Sequence, residues 1–274
     1  MLSLAPLTLL PCSPVEFIDA AAGAGFDAVG LRLFPVIDTD IDVMASPALL
    51  QSIKERLDET KLKVLDIEVV RVGPELDVPA MLPALQFASE VGARNILVTS
   101  LSREDYRENE LHHTANKLNE LAEVAGAYGL KPMLEFMIFR GVATIEDAVA
   151  MVEKAGHPNI GICVDALHLQ RSGGNPSALA KVDPALFSCF QICDAPLLPQ
   201  EDVRREARYG RVYPGEGELP LADILSALPA GIPVSVETPT ESRKDVSLAD
   251  RAREVARRTS EVLATAAPVG DRST

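Results

Sequence analysis

Four polar residues sit at or near the ends of apolar runs from the middle of the chain onward: Glu135 in MLEFM, Asp165 in ICVDALH, Gln191 in FSCFQICDAP and Glu237 in VSVET. Their positions lie 30, 26 and 46 residues apart. Three carboxylates brought to one place repel each other, by roughly 4 kcal/mol per pair at 4 Å and an effective dielectric near 20. A positive partner is therefore required, supplied either by basic side chains or by a divalent cation. Only the cation can bond to three carboxylates and an amide at once. Each residue also has a simpler use on its own. Asp165 can cap the segment that follows, Gln191 can satisfy core backbone groups, and Glu135 and Glu237 can pair with surface cations. Their joint appearance on successive strands is what points to a metal.

The elements that would position them alternate regularly. Strand-like runs occur at 2 to 9, 27 to 33, 63 to 72, 95 to 100, 132 to 137, 160 to 166, 187 to 193 and 233 to 238, with helical patterns between them. SPVEFIDAAAGAG opens with Ser13 as N-cap and Pro14 as first helical residue. Eight strands with intervening helices in 274 residues predict an α/β fold, a (βα)8 TIM barrel spanning the chain as a single domain, 1 to 274, with a frayed tail from about 266. A doubly wound sheet would need a glycine-rich turn after its first strand, where this chain has LLPCSP. In a barrel the strand ends carrying Glu135, Asp165, Gln191 and Glu237 form the active face. The long loop from 194 to 219 rises from the same face and carries Arg204, Arg205, Arg208 and Arg211 ahead of a Pro-Gly-Glu-Gly turn.

Composition narrows the partners. A net charge of -14 would repel nucleic acid and anionic lipid, and no run reaches the roughly 18 apolar residues of a membrane span. Cys12, Cys163, Cys189 and Cys193 form no CxxC pair and read as reduced core thiols of a cytoplasmic protein. The expected partner is a small hydroxy-carbonyl molecule, with a homo-oligomer left open. Cys189, Gln191 and Cys193 share strand parity, so the two thiols read as small neighbours of the site. His112 and His113 fall on the solvent face of an amphipathic helix.

The chain resembles the xylose-isomerase-like barrels, which include sugar phosphate isomerases and epimerases, ketose 3-epimerases and 3-dehydroshikimate dehydratases. The resemblance is carried by GFDAVGLR, LEF, the D-x-x-H of DALH, the Q-x-x-D of QICD, PGEGELPL and SVE, in that order. It implies that Glu135, Asp165 and Glu237 bind a divalent metal, with Gln191 where the family usually has histidine. Some dehydratases of the family are similar in this glutamine. It further implies that His168 and Arg211 contact substrate, with Arg204, Arg205 and Arg208 competing for the latter role. Arg32, Glu68 and Arg71 either line the same mouth or form solvated ion pairs. An amide oxygen is a harder donor than imidazole, so the all-oxygen set favours Mg2+ or Mn2+ over zinc. In a rival arrangement Gln191 only orients Asp194, which itself reaches the metal.

Such an ion polarises a hydroxy-ketone and stabilises an enediolate, while Glu135 and Glu237 move protons on either side. The first expectation is a metal-dependent isomerase or epimerase of a sugar or related polyol ketone. A lyase of the dehydroshikimate dehydratase type follows, and a barrel without metal acting as a binding or subunit-partner protein is the alternative outside enzymes.

Overall fold

The computed structural model describes residues 1 to 36, 40 to 105 and 111 to 265. The predicted tail from 266 lies outside them. Eight parallel strands close into a barrel in sequence order. They are β1 (Leu2–Leu4), β2 (Ala28–Arg32), β3 (Lys63–Val72), β4 (Asn95–Ser100), β5 (Lys131–Glu135), β6 (Gly161–Asp165), β7 (Phe187–Ile192) and β8 (Val234–Val236). The expected (βα)8 architecture is present. β1 and β8 are the strands most shortened relative to their apolar runs. β1 stops at Leu4 because Pro6, which has no N–H to give a ladder, opens a 3-10 turn over Pro6–Thr8. β8 stops at Val236, although the Glu237 N–H still donates to Ile192 O at 3.1 Å and keeps that residue against β7.

The helices around the barrel are α1 (Pro14–Gly23), α2 (Pro47–Thr60), α3 (Leu82–Glu90), α4 (Leu111–Gly126), α5 (Ile145–Ala155), α6 (Ala166–Arg171), α7 (Pro176–Leu179), α8 (Val203–Tyr209), α9 (Leu221–Ala227) and α10 (Leu248–Thr265). Local chemistry fixes their ends. Ser13 and Glu16 form a reciprocal capping box on α1, Thr144 and Asp147 form another on α5, and Gly156 ends α5 with φ 66°. His112 and His113 on α4 are exposed, as expected. Among the described residues no helix is long and apolar enough to cross a membrane.

Two apolar layers result from the alternation along each strand. Ala28, Leu65, Leu97, Met133, Cys163 and Cys189 pack together inside the barrel, while the larger cluster lies between strands and helices. The seam between the first and last strands is reinforced beyond the β1–β8 ladder. Thr8 Oγ1 donates to Val236 O at 2.8 Å and accepts from Thr238 N–H at 3.0 Å, and the buried Arg251 of α10 donates to Thr8 O at 2.5 Å.

Asp194 follows β7 and organises the loop above it. Its Oδ1 accepts from Ala195 N–H at 2.9 Å and Leu219 N–H at 3.0 Å, and its Oδ2 accepts from Gly215 N–H at 2.9 Å. Gly215 takes φ 84°, and a Cβ at Gly217 would lie 2.4 Å from Asp194 Oδ1 and 2.6 Å from the Ala195 backbone. The Pro-Gly-Glu-Gly sequence is thus the shape that lets the chain fold over one carboxylate. Gly217→Ala is expected to cost at least about 2 kcal/mol through overpacking. Gly23→Ala, at a helical glycine with nothing within 4 Å, should stabilise by roughly 0.5–1 kcal/mol. Paired urea denaturation curves measure both.

Candidate active site at the barrel mouth

Glu135 and Asp165 are the last residues of β5 and β6, Gln191 the second-last of β7, and Glu237 the first beyond β8. All four are buried at 5% exposure or less, so the strand ends deliver them to one dry mouth. Gln191 is the register partner of Asp165 across β6 and β7. Its Oε1 accepts the thiol of Cys163 at 3.4 Å, so the amide stands directly above the inner apolar layer.

The centre of the mouth is a cation already present in the chain. Arg211 is 2% exposed, and its Nη1 donates to Asp165 Oδ2 at 2.6 Å and to Glu237 O at 2.9 Å. Nη2 lies 3.1 Å from Glu237 Oε2 and 3.4 Å from His168 Nε2. Asp165 Oδ1 caps α6 by accepting from His168 N–H at 2.9 Å, so the capping reading and the site reading of this residue are both realised. Cys193 touches the guanidinium through its sulfur at 3.5 Å.

Glu135 is in a different position. Its Oε1 is buried and accepts no hydrogen bond, while His168 Nε2 stands 3.8 Å away. Ligand atoms of Glu135, Asp165 and His168 all lie within 4.8 Å of one another, a cluster able to hold a metal ion. An unpartnered buried carboxylate oxygen is costly unless a proton or cation meets it, so the residues present fit a divalent ion. His168 joins Glu135 and Asp165 more closely than the sequence suggested. Asp194, the rival ligand, has both oxygens engaged by backbone N–H groups.

Burial and mutual repulsion set the protonation of this cluster. Glu135 is pushed well above the usual carboxylate range, first by burial and then by the charges of Glu237 and Asp165. Glu237 rises to about 7, chiefly through burial, with Arg211 opposing the shift and Asp165 and Glu68 adding to it. Asp165 goes the other way, held low against its own burial by Arg211, His168 and the hydrogen bonds they make. His168 falls to about 4 through burial, so its imidazole is neutral.

A cavity of about 100 Å3 opens above these groups, and Arg32, Arg71, Arg140, Arg208 and Arg211 are in its wall. Arg32 is neutralised by Glu68 at 2.7 Å and Asp40 at 3.1 Å. Arg71, Arg140 and Arg208 have no carboxylate partner among the described residues. Burial and the neighbouring charges of Arg71, Arg208 and Arg204 lower Arg140 to about 10 against the attraction of Glu135, with which it forms no ion pair, and its Nε is buried without a partner. Arg204 and Arg205 point elsewhere, to Glu104 and Glu241. Sequence reasoning passed over Arg140, which follows β5 by five residues, and Asp66 on β3. Asp66 is buried with an unpartnered Oδ1, and a Cβ on Gly30 would lie 2.7 Å from it. The parity it shares with Glu68 in KVLDIEVVRV was the available signal.

The family model of the xylose isomerase-like TIM barrel matches residues 18–265. The chain belongs to that family. A 3-dehydroshikimate dehydratase of Pseudomonas aeruginosa is 29% identical over 238 residues, covering 83% of this chain and 36% of the relative. An inosose isomerase of Halalkalibacterium halodurans is 32% identical over 136 residues, covering 48% of this chain and 47% of the relative. The chain thus spans about a third of the dehydratase and about half of the isomerase. The structure of the IolI protein with a bound zinc atom superposes with a TM-score of 0.81 at 20% identity, covering 96% of this chain and 98% of that one, a likeness of fold. This xylose isomerase-like family contains isomerases, epimerases and dehydratases.

The wall of the mouth depends on α8, the helix inside the long 194 to 219 loop. Its buried Glu206 accepts Arg171 Nε and Nη2, each at 2.8 Å, while the same guanidinium donates to Leu197 O and Pro196 O. Glu206→Ala, which strands Arg171, is expected to destabilise by about 3–5 kcal/mol. The double variant Arg171→Met with Glu206→Met should recover most of that loss in the same denaturation assay.

Proposed function

We propose that the protein is a divalent-metal-dependent dehydratase acting on a small cyclic hydroxy-keto acid, of the 3-dehydroshikimate type. The observation that carries this reading is the trio Arg71, Arg140 and Arg208 in the cavity wall, cationic and without a carboxylate partner among the described residues. In a chain of net charge -14, three such guanidiniums beside buried carboxylates call for an anionic substrate group. A neutral sugar or inosose offers none. Gln191 and the match to dehydratases support the same choice.

Glu135, Asp165, Gln191 and Glu237 would hold the ion, with His168 beside them, and the oxygen-rich set suits Mg2+ or Mn2+. When bound, the ion supplies Lewis acidity toward the substrate carbonyl. The arginines orient the carboxylate and thereby fix the ring over the glutamates. One glutamate takes the proton next to the carbonyl, and the other, protonated, gives its proton to the β-hydroxyl, which leaves as water. Proton and hydroxyl both come from substrate, so the elimination is balanced without an oxidant, and tautomerisation of the ring gives the aromatic product. Neutral His168 offers a hydrogen bond to a substrate oxygen without adding charge.

The second reading is isomerisation or epimerisation of a polyol ketone, which sequence analysis placed first and which the match to an inosose isomerase favours. It uses the same glutamates and returns the proton to carbon.

Incubation of the metal-supplied protein with 3-dehydroshikimate should raise an aromatic ultraviolet band. Exchange of deuterium from D2O into recovered inosose, with no such band, would replace dehydration by isomerisation. Glu135→Gln and Glu237→Gln should each abolish turnover. Arg140→Ala should raise KM for the keto acid about ten- to hundredfold, the loss of one charge-assisted hydrogen bond of roughly 1.5–3 kcal/mol, with a smaller change in kcat. Gln191→His should keep metal binding and shift preference toward Mn2+, Co2+ or Zn2+ in a metal competition assay.

A further inference from the structure

We infer that Arg211 is an internal cation competing with the divalent ion for Asp165 and Glu237, so that metal affinity is set by how readily this guanidinium yields its carboxylates. The inference rests on the metal-dependent reading of the site above.

The geometry carries it. Two of the three carboxylates that would ligate the ion are already bonded to Arg211, Asp165 Oδ2 at 2.6 Å and Glu237 Oε2 at 3.1 Å. Asp165 has no idle oxygen, because Oδ1 accepts the His168 N–H. The side chain is anchored as well as charged, with Nε donating to Ala207 O at 3.0 Å and Nη1 to Glu237 O at 2.9 Å. Glu135 Oε1, by contrast, is buried without a hydrogen-bond partner. An arriving ion therefore finds one open carboxylate and two that are shared with a positive group in contact with them. Bonding to Asp165 Oδ2 or Glu237 Oε2 places two like charges within a few ångströms in a site where solvent screens little. The protein either lets the guanidinium swing off one carboxylate or binds the ion more weakly than its count of carboxylates suggests. The same bonds hold the metal-free mouth together, since without Arg211 the cluster would have no positive group in contact with Asp165.

A residue that only oriented the ligands would behave oppositely, because loss of an orienting partner typically weakens metal binding ten- to hundredfold. The two roles are separated by binding, without any activity measurement. Mn2+ titrations followed by electron paramagnetic resonance, with parallel thermal melts, would compare wild type, Arg211→Gln and Arg211→Lys. Competition predicts that Arg211→Gln binds Mn2+ at least tenfold tighter than wild type, melts lower without metal and gains more on Mn2+ addition. Arg211→Lys, which keeps the charge, should stay within a few-fold of wild type. If Arg211→Gln does not fold without metal, refolding on Mn2+ addition at concentrations below the wild-type Kd gives the same result. Equal or weaker binding by Arg211→Gln overturns the competition while leaving the metal site in place. Absence of binding by all three proteins overturns both.

Discussion

The barrel mouth is governed by the compensation of buried negative charge. Glu135, Asp165 and Glu237 meet there, with Glu68 and the unpartnered Asp66 beside them, all at 5% exposure or less. At an effective dielectric near 20 each close pair of ionised carboxylates costs roughly 4 kcal/mol, so the cluster is tolerable only with protons or cations inside it. The chain provides some of both. Arg211 favours the ionised form of Asp165, Arg32 pairs with Glu68, and burial shifts Glu135, Asp66 and Glu237 upward, toward their protonated forms. Carboxylates shifted in this way at a cavity are the kind of group that acid–base chemistry uses, which is the basis of the function proposed above.

The scaffold serves this constraint in a specific way. Glutamate and aspartate are placed at the last positions of β5 and β6 and just past β8, where rigid hydrogen-bonded strands fix their backbone. Asp194 could have added yet another charge to the mouth. Instead three backbone N–H groups take its oxygens, and the Pro-Gly-Glu-Gly turn is shaped around it. That turn in turn carries the chain from Arg211 toward α9. The Arg171–Glu206 pair pins α8, so that Ala207 offers its carbonyl to Arg211 while Arg208 faces the cavity.

Much of this was legible in the sequence because barrels have a strong grammar. Eight apolar runs, each followed by helical periodicity or a turn, fix the architecture, and polar residues at their ends fix the face. Glu135, Asp165, Gln191 and Glu237 could be named because each interrupts an apolar run. Arg140 could not, because it lies in a connecting segment where an arginine is unremarked, and only the three-dimensional meeting with Arg71 and Arg208 gives it meaning. The central role of Arg211 was hidden for a related reason. Sequence placed it among four loop arginines as a substrate contact, and packing adds to its place in the cavity wall a buried pairing with two prospective ligands. Likewise Pro6 shortens β1 through its missing donor, an effect that hydropathy alone passes over.

The central claim is that the converging carboxylates are built to share a divalent cation. The most direct measurement is an anomalous difference map from a crystal soaked in Mn2+, with diffraction recorded on both sides of the manganese absorption edge. The account predicts one strong peak at the barrel mouth, bonded by Glu135, Asp165 and Glu237 and completed by the Gln191 amide oxygen or by His168. A map without a peak there, with Arg211 still spanning Asp165 and Glu237 at saturating Mn2+, would contradict it.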